Sequence, residues 1–237
     1  MKINNMNFSS WNFLRNLRTE KKQFAVIGLG RFGSAVCSTL HKSGYEVLAV
    51  DKEEKRVTSA LSDQIASHAL LLDSTETSAL REAGILEFDT VIVAVGSFLA
   101  ESITTTLNLK EGGVANVIAK ASSETHAKLL NKVGADMVVF PEQEMGQQLA
   151  RQLTRPRLLD QFELDAEHSI VEMIVPDEFD GKTIAELELR RRYGLNLLAI
   201  KNEGDKMEIN PLSNRKLYKG TMIVVVGSNQ DINRLVG

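Results

Sequence analysis

Two charged residues stand out by their positions relative to a G-x-G-x-x-G pattern that begins at Gly28. Arg31 lies between Gly30 and Gly33, and Asp51 follows the next apolar run of the chain. A guanidinium could bind a terminal phosphate with a fork of donors, and an acidic residue about twenty residues after such glycines binds ribose hydroxyls. The spacing therefore predicts a nucleotide site.

The segments on either side of the glycines have the patterns of a strand and a helix. Residues 24–27 form an apolar, β-branched run that is too short for a buried helix, and residues 34–42 follow a helical pattern. Gly28 permits a tight turn, Gly30 lets the backbone approach a pyrophosphate, and Gly33 allows close packing of helix on strand. The loop amides then lie at a helix N-terminus, where anions bind favourably. In the alternative, the glycines serve only turn and packing needs.

Strand and helix patterns alternate from Gln23 to about Leu153. This alternation predicts an α/β fold with a doubly wound, Rossmann-like parallel sheet and right-handed crossovers. Ligands of such sheets bind at the carboxyl ends of the strands. The predicted nucleotide site therefore also includes the residues near those ends: Phe32, Lys52, Asp73, Ser74, Thr75, Ala94, Gly96, Ser97 and Lys120.

Several of these residues also have local explanations. Asp51 could cap the following helix, and Asp73 with Glu76 could form a capping box. Lys52 leaves nucleotide selectivity open, because a cation directly after the ribose-binding acid could tolerate a 2′-phosphate. Arg31 could be a solvated side chain on an exposed turn.

The last third of the chain follows a different pattern. Residues 158–168 show no clear period and are predicted to be a connector, whereas the later strand and helix signals predict a small α+β lobe with one helix over residues 184–192. We therefore predict four regions. They are an N-terminal extension (1–22), a nucleotide-binding lobe (23–142), a crossover helix with its connector (143–167) and a C-terminal lobe (168–237).

Composition excludes several classes of protein. The 237 residues are 43% hydrophobic with a formal net charge of −3, so no basic surface argues for nucleic acid. Cys37 is the only cysteine, which indicates a reducing setting and a small buried side chain rather than a nucleophile. We expect neither a membrane span nor a signal peptide. The basic N-terminal extension is interpreted as a frayed arm, with an amphipathic docking helix as the alternative.

The histidines and carboxylates show no spacing typical of a catalytic site. None of the four histidines stands in a recognisable triad or metal spacing, and the C-terminal lobe has no paired carboxylates at catalytic spacing. This weakens one hypothesis, an NAD-dependent oxidoreductase. We expect the protein not to be an enzyme.

Taken together, several stretches resemble the cytosolic regulatory subunits of Ktr-type potassium uptake systems, members of the RCK domain family. They are residues 24–33, 47–51, 91–96, 134–136 and 193–201. The resemblance implies a homo-octameric ring of dimers, cytoplasmic and held at the membrane by a separate membrane-embedded potassium-translocating subunit. It also implies that ATP activates and ADP inactivates through a change of ring shape. An NAD(H)-sensing regulator of the related Trk type remains an alternative.

The same resemblance implies roles for individual residues. Arg31 would sense the terminal phosphate, Asp51 would bind the ribose, and Glu142 would lie near a cation, Mg²⁺ or Na⁺, between paired nucleotides. Members of the family can bind cyclic di-AMP in the C-terminal lobe, and the proline-containing segment of that site is only partly present here. The nearest matches are Leu197, Leu198, Asn210 and Pro211.

Overall fold

The computed structural model describes residues 22–96, 98–202, 204 and 206–236. The predictions for the N-terminal extension before Lys22 and for Ser97 lie outside the described residues. The chain divides into two compact units, whose boundary falls between Gln143 and Glu144.

The first unit is built on a six-stranded parallel sheet in the order β3-β2-β1-β4-β5-β6. β1 lies between β2 and β4, so the strand order reverses there and a ligand crevice is expected above it. The strands are β1 (Phe24–Ile27), β2 (Val47–Asp51), β3 (His68–Leu71), β4 (Thr90–Val93), β5 (Asn116–Lys120) and β6 (Met137–Val139).

Helices follow the strands in the expected alternation. They are α1 (Arg31–Lys42), α2 (Glu54–Ser62), α3 (Thr77–Glu82), α4 (Leu99–Glu111), α5 (Glu124–Lys132) and α6 (Pro141–Thr154). Strands β1, β2 and β4 are buried along their whole length, which explains their continuous apolar runs. Cys37 on α1 is fully buried in the core beneath the sheet, as predicted.

The second unit holds a five-stranded antiparallel sheet in the order β10-β9-β11-β8-β7. Its strands are β7 (Leu158–Glu163), β8 (His168–Ile174), β9 (Asn196–Lys201), β10 (Glu208–Ile209) and β11 (Met222–Ser228), and its helices are α7 (Ile184–Leu187), α8 (Leu189–Tyr193) and α9 (Asn229–Val236). The predicted fold class, a Rossmann-like doubly wound sheet followed by a small α+β lobe, is confirmed.

Two sequence predictions for this unit are wrong. The predicted connector is strand β7 over residues 158–163, which pairs with β8 at the sheet edge. Only its first residue, Leu158, is buried, so the segment shows no alternation of apolar and polar residues. The single helix predicted over residues 184–192 is broken at Glu188, whose positive φ of 45° ends α7.

Candidate functional site

Gly28 and Gly33 bring the first turn of α1 against the strand ends. Gly28 has a φ of +98°, and a Cβ there would lie 3.1 Å from the backbone of Ala94. A Cβ on Gly33 would overlap the carbonyl oxygen of Gly28. These two glycines therefore have the turn and packing roles that the sequence predicts.

Gly30 has no such structural requirement. It caps α1 in an extended conformation with a φ of −73°, which any residue adopts. A Cβ added there would meet only the Arg56 guanidinium, 4.0 Å away. Because neither strain nor crowding demands glycine, the open space above Gly30 fits an approaching ligand, beside the unpaired first amides of α1.

Asp51 lies at the carboxyl end of β2 and is 6% exposed. Its Oδ2 accepts a hydrogen bond from the Leu29 N–H at 2.6 Å, and its Oδ1 accepts one from the Glu53 N–H at 2.9 Å. Arg56 Nη1 lies 3.5 Å from Oδ2. The carboxylate is thereby fixed in orientation, and because each oxygen can accept more than one bond, it retains capacity for a ribose diol.

These groups line one cavity of about 280 Å³ in the first unit. Most of the predicted site residues meet there: Gly28, Gly30, Arg31, Phe32, Asp51, Lys52, Asp73, Ser74, Ala94, Gly96, Lys120 and Glu142. Gly33 and Thr75 do not line it. Gly33 instead packs against the backbone of Gly28, and the Thr75 carbonyl accepts a hydrogen bond from the Asn108 side-chain amide at 2.8 Å.

The capping box predicted for Asp73 is wrong. The N-cap of α3 is Glu76, and it caps with no side-chain hydrogen bond. Asp73 Oδ1 instead accepts bonds from the Thr75 hydroxyl at 2.7 Å and the Thr75 N–H at 2.9 Å. These bonds hold the pKa of Asp73 below its usual value, with a smaller contribution from Lys52. The carboxylate is thus a fixed negative charge at the cavity wall.

The end of the cavity that lies across β1 and β4 from Asp51 holds an ion pair. Lys120 at the end of β5 forms an ion pair with Glu142, the second residue of α6, and its ammonium lies 6.0 Å from the centre of the Phe32 ring. The hydrogen bond from Lys120 holds the pKa of Glu142 below its usual value. Arg31 also lines this cavity and is exposed, with no ion pair to any described residue.

Family models match both units of the chain. The TrkA-N domain model matches residues 24–141, and the TrkA-C domain model matches residues 170–236. The chain is 42% identical over 214 residues to the Ktr system potassium uptake protein C of Bacillus subtilis, a match that covers 90% of this chain and 96% of that protein. The chain belongs to the Ktr family of potassium uptake proteins. The resemblance found in the sequence is thereby confirmed.

Other members of the Ktr family are nearly as similar. The chain is 41% identical to the Ktr system potassium uptake protein A of Bacillus subtilis, over 92% of this chain. It is 38% identical to the Ktr system potassium uptake protein A of Vibrio alginolyticus, over 89% of this chain. These matches cover 96% and 94% of the two relatives.

Solved structures support the fold. A structure described as the GsuK channel bound to NAD gives a TM-score of 0.64 at 18% identity, over 97% of this chain and 44% of that chain. The GsuK RCK domain gives a TM-score of 0.53 at 23% identity, over 95% and 48% of the two chains. The chain thus spans about half the length of these structural neighbours.

Four charged or aromatic residues that line this cavity were not predicted from the sequence. They are Glu53, Arg56, Phe98 and Glu101. Arg56 lies in the first turn of α2, directly after β2, and this position could have revealed it. The other three also follow the carboxyl ends of β2 or β4, but no residue pattern marks which side chains of those segments reach the cavity.

The candidate cyclic di-AMP residues lie in the second unit. Leu197 and Leu198 are on β9, and the Asn210 N–H donates a hydrogen bond to the Leu198 carbonyl at 2.9 Å. Asn210 has a positive φ of 50° and leads into Pro211 just after β10. The fold therefore brings β9 and the 210–211 turn side by side, while Leu197 also packs against the core of the unit.

The described residues also bear on metal binding and on membrane spans. No cluster of three or more histidine, cysteine or acidic side chains is placed to hold a metal ion there. In the same part of the chain, every helix falls short of the length or the hydropathy that crossing a bilayer requires.

Proposed function

We propose that this chain is the nucleotide-gated regulatory subunit of a potassium uptake system, in which ATP activates and ADP inactivates transport. The observation that carries the proposal is that a fixed carboxylate suited to a ribose and cations suited to phosphates line one cavity of a Ktr-family chain. The carboxylate is Asp51 at the end of β2, and the cations are Lys120 at the end of β5 and Arg31 at the start of α1. Residues 23–142 form the nucleotide-binding lobe in this proposal.

The positions of these groups give the nucleotide a direction. The ribose lies against Asp51, with the adenosine near Asp73 and Ser74. The phosphates pass over Gly30 to the first amides of α1, where the helix dipole favours anions. A terminal phosphate then reaches the side of the cavity that Arg31 and Lys120 line.

ATP and ADP differ only in the γ-phosphate, so the gating signal must arise where that group binds. A ligand shifts a conformational equilibrium only by its differential affinity for the two states. Lys120 pairs with Glu142 at the start of α6, so a γ-phosphate beside Lys120 competes directly with a residue of that helix. The contact between the γ-phosphate and Lys120 is an interaction that ATP makes and ADP lacks.

Glu142 is also the proposed ligand of a cation, Mg²⁺ or Na⁺, bound together with the γ-phosphate. Its carboxylate is 71% exposed and ionised, as a hard-cation ligand must be. Phosphate oxygens and a second subunit would complete the coordination. The assembly implied by the family is a homo-octameric ring of dimers, attached at the cytoplasmic face of the membrane to a potassium-translocating subunit.

Calorimetric titration of the full chain with ATP, ADP, NADH and cyclic di-AMP, each with and without Mg²⁺, tests the proposal. We expect ATP and ADP to bind to one site per chain, and potassium uptake by vesicles that carry the membrane subunit to rise with ATP and fall with ADP. Transport that follows NADH and ignores ATP would support the NAD(H)-sensing alternative. Stoichiometric turnover of a nicotinamide with a substrate would identify an oxidoreductase instead.

A further inference from the structure

An ion pair crosses the ribose end of the cavity. Lys52 Nζ lies 2.6 Å from Glu101 Oε1 and 4.6 Å from the centre of the Phe98 ring. Lys52 follows β2, whereas Phe98 and Glu101 follow β4, and β1 lies between these two strands in the sheet. The pair therefore connects the two sides of the glycine loop.

The cations at this end of the cavity are all engaged. Arg56 lies 2.9 Å from Glu53 and 3.5 Å from Asp51, and Lys52 is paired with Glu101. The hydrogen bond that Lys52 donates to Glu101 raises the pKa of Lys52, so the lysine is charged and its charge is compensated. Carboxylates outnumber cations here, because Asp73 lines the same region.

This arrangement bears on the group attached to the ribose 2′ position. A cation beside the ribose-binding acid favours a 2′-phosphate when it is free to pair with that phosphate. Lys52 is held instead by a carboxylate and by the face of an aromatic ring. A 2′-phosphate would have to displace Glu101 from Lys52 and then lie among the remaining carboxylates.

We propose that Glu101 is a specificity-determining residue that occupies Lys52 and thereby restricts the cavity to adenine nucleotides with a free 2′-hydroxyl. This inference rests on the proposed function, because it requires an adenine nucleotide whose ribose binds at Asp51. It assigns to the Lys52–Glu101 pair a role in selectivity rather than in stability. An ion pair whose side chains are 43% and 32% exposed adds little to folding.

The test compares two ligands that differ only by the 2′-phosphate. 5′-AMP and adenosine 2′,5′-bisphosphate compete with a fluorescent ADP analogue for the full-length chain, and the ratio of their affinities is the readout. We expect the wild-type chain to prefer 5′-AMP and Glu101→Gln to reduce that preference by up to about fivefold, the upper end of the effect that one exposed charge pair gives. Glu101→Ala provides a second variant with the same expectation.

Glu111→Gln is the matched control, because it removes the same charge from an exposed position at the far end of α4. Its affinity ratio should equal that of the wild type. Lys52→Gln in the Glu101→Gln background removes the released cation, and the preference for 5′-AMP should return. Thermal unfolding of each variant verifies that it is folded.

The outcomes separate the two proposals. An unchanged ratio in Glu101→Gln and Glu101→Ala, with ADP still bound, would overturn this inference alone. A ratio that changes but does not revert on removal of Lys52 would also overturn it, since another group would then bind the 2′-phosphate. Failure of the wild-type chain to bind the ADP analogue would overturn the proposed function and this inference together.

Discussion

The backbone N–H of Leu29 donates a hydrogen bond to the carboxylate of Asp51 over 2.6 Å, which joins the glycine loop to the end of β2. The residue proposed to bind ribose therefore also sets the shape of the loop that would hold the phosphates. A substitution of this one carboxylate therefore affects both the loop and the proposed ribose contact.

Asp51→Ala should weaken ATP and ADP by similar factors, because both nucleotides carry the same ribose. The loss of a charge-assisted hydrogen bond is expected to cost about 1.5–3 kcal/mol of binding free energy. Calorimetry measures both affinities, and thermal unfolding reports the effect on the loop. Asp63→Ala, an exposed carboxylate outside the cavity, is the control. Loss of ATP binding with normal ADP binding would show that Asp51 does not hold the ribose.

Arg31→Ala should weaken ATP more than ADP, because Arg31 is proposed to pair with the γ-phosphate. Activation of transport should then decline even at saturating ATP, since the difference in affinity between the two conformations shrinks. Arg56→Ala is the matched comparison, as its guanidinium lies beside Asp51 and should affect ATP and ADP equally. Equal losses of ATP and ADP in Arg31→Ala, with an unchanged activation ratio, would make Arg31 a general phosphate contact.

Glu142→Gln should reduce the effect of added Mg²⁺ or Na⁺ on ATP binding. Without divalent cations, the same variant should bind ATP at least as tightly as the wild type, because Lys120 loses its competing partner. Titrations with and without Mg²⁺ measure both effects, and Glu124→Gln on α5 removes a comparable exposed charge outside the cavity. A full Mg²⁺ effect in Glu142→Gln would eliminate this carboxylate as a cation ligand.

Gly33→Ala and Gly146→Ala should change stability in opposite directions, although both glycines are helical. A methyl group at position 33 would overlap the Gly28 carbonyl, whereas one at position 146 meets no atom within 4 Å. Urea unfolding should show a loss of several kcal/mol for Gly33→Ala and a gain of up to about 1 kcal/mol for Gly146→Ala. A Gly33→Ala chain with wild-type stability would contradict the packing role of that glycine.

His126 should make stability depend on pH in the mildly acidic range. It is fully buried, its Nδ1 accepts a bond from the Ser122 N–H at 3.3 Å, and its Nε2 has no partner in the described part of the chain. Burial lowers the pKa of His126 below its usual value of 6.5, so the unfolded chain binds the proton more readily than the folded one. Its contribution to stability is therefore complete above pH 6.5 and is lost as the pH falls through the lower, folded pKa.

Urea unfolding at about pH 7.5 and about pH 5.5, on either side of the usual histidine pKa, measures this dependence. The decrease in unfolding free energy should be smaller in His126→Gln than in the wild type. His68→Gln, at an exposed histidine on β3, should retain the wild-type decrease. Equal pH dependence in all three proteins would assign the decrease to other groups.

The sequence is sufficient to predict the parallel sheet and most of the cavity. Strands buried on both faces have continuous apolar runs, and the topology of such a sheet brings their carboxyl ends together. The position of Asp51, Gly96 and Lys120 at or near these ends is therefore enough to predict that they line the cavity. The edge strand β7 was missed for the opposite reason. Its residues are largely exposed, and only pairing with β8 orders them.

The rest of the cavity depends on side-chain reach, which spacing does not encode. Glu101 meets Lys52 across 49 residues of sequence, and only the packing of α4 beside β4 brings them together. Asp73 shows a second limit. A capping box and a turn in which Asp73 accepts hydrogen bonds from Thr75 use the same residue types. The turn forms because α3 begins at Thr77, so that Glu76 rather than Asp73 is its N-cap.

Cys37 gives the chain a built-in reporter. It is the single cysteine, it is fully buried under the sheet that carries the nucleotide cavity, and burial raises the pKa of its thiol to about 12. The folded lobe therefore protects the thiol from alkylating reagents, and modification requires the core around α1 to open. Because ligands that bind only the folded lobe make such opening rarer, the rate of Cys37 alkylation reads out nucleotide occupancy in the unlabelled, unmutated protein.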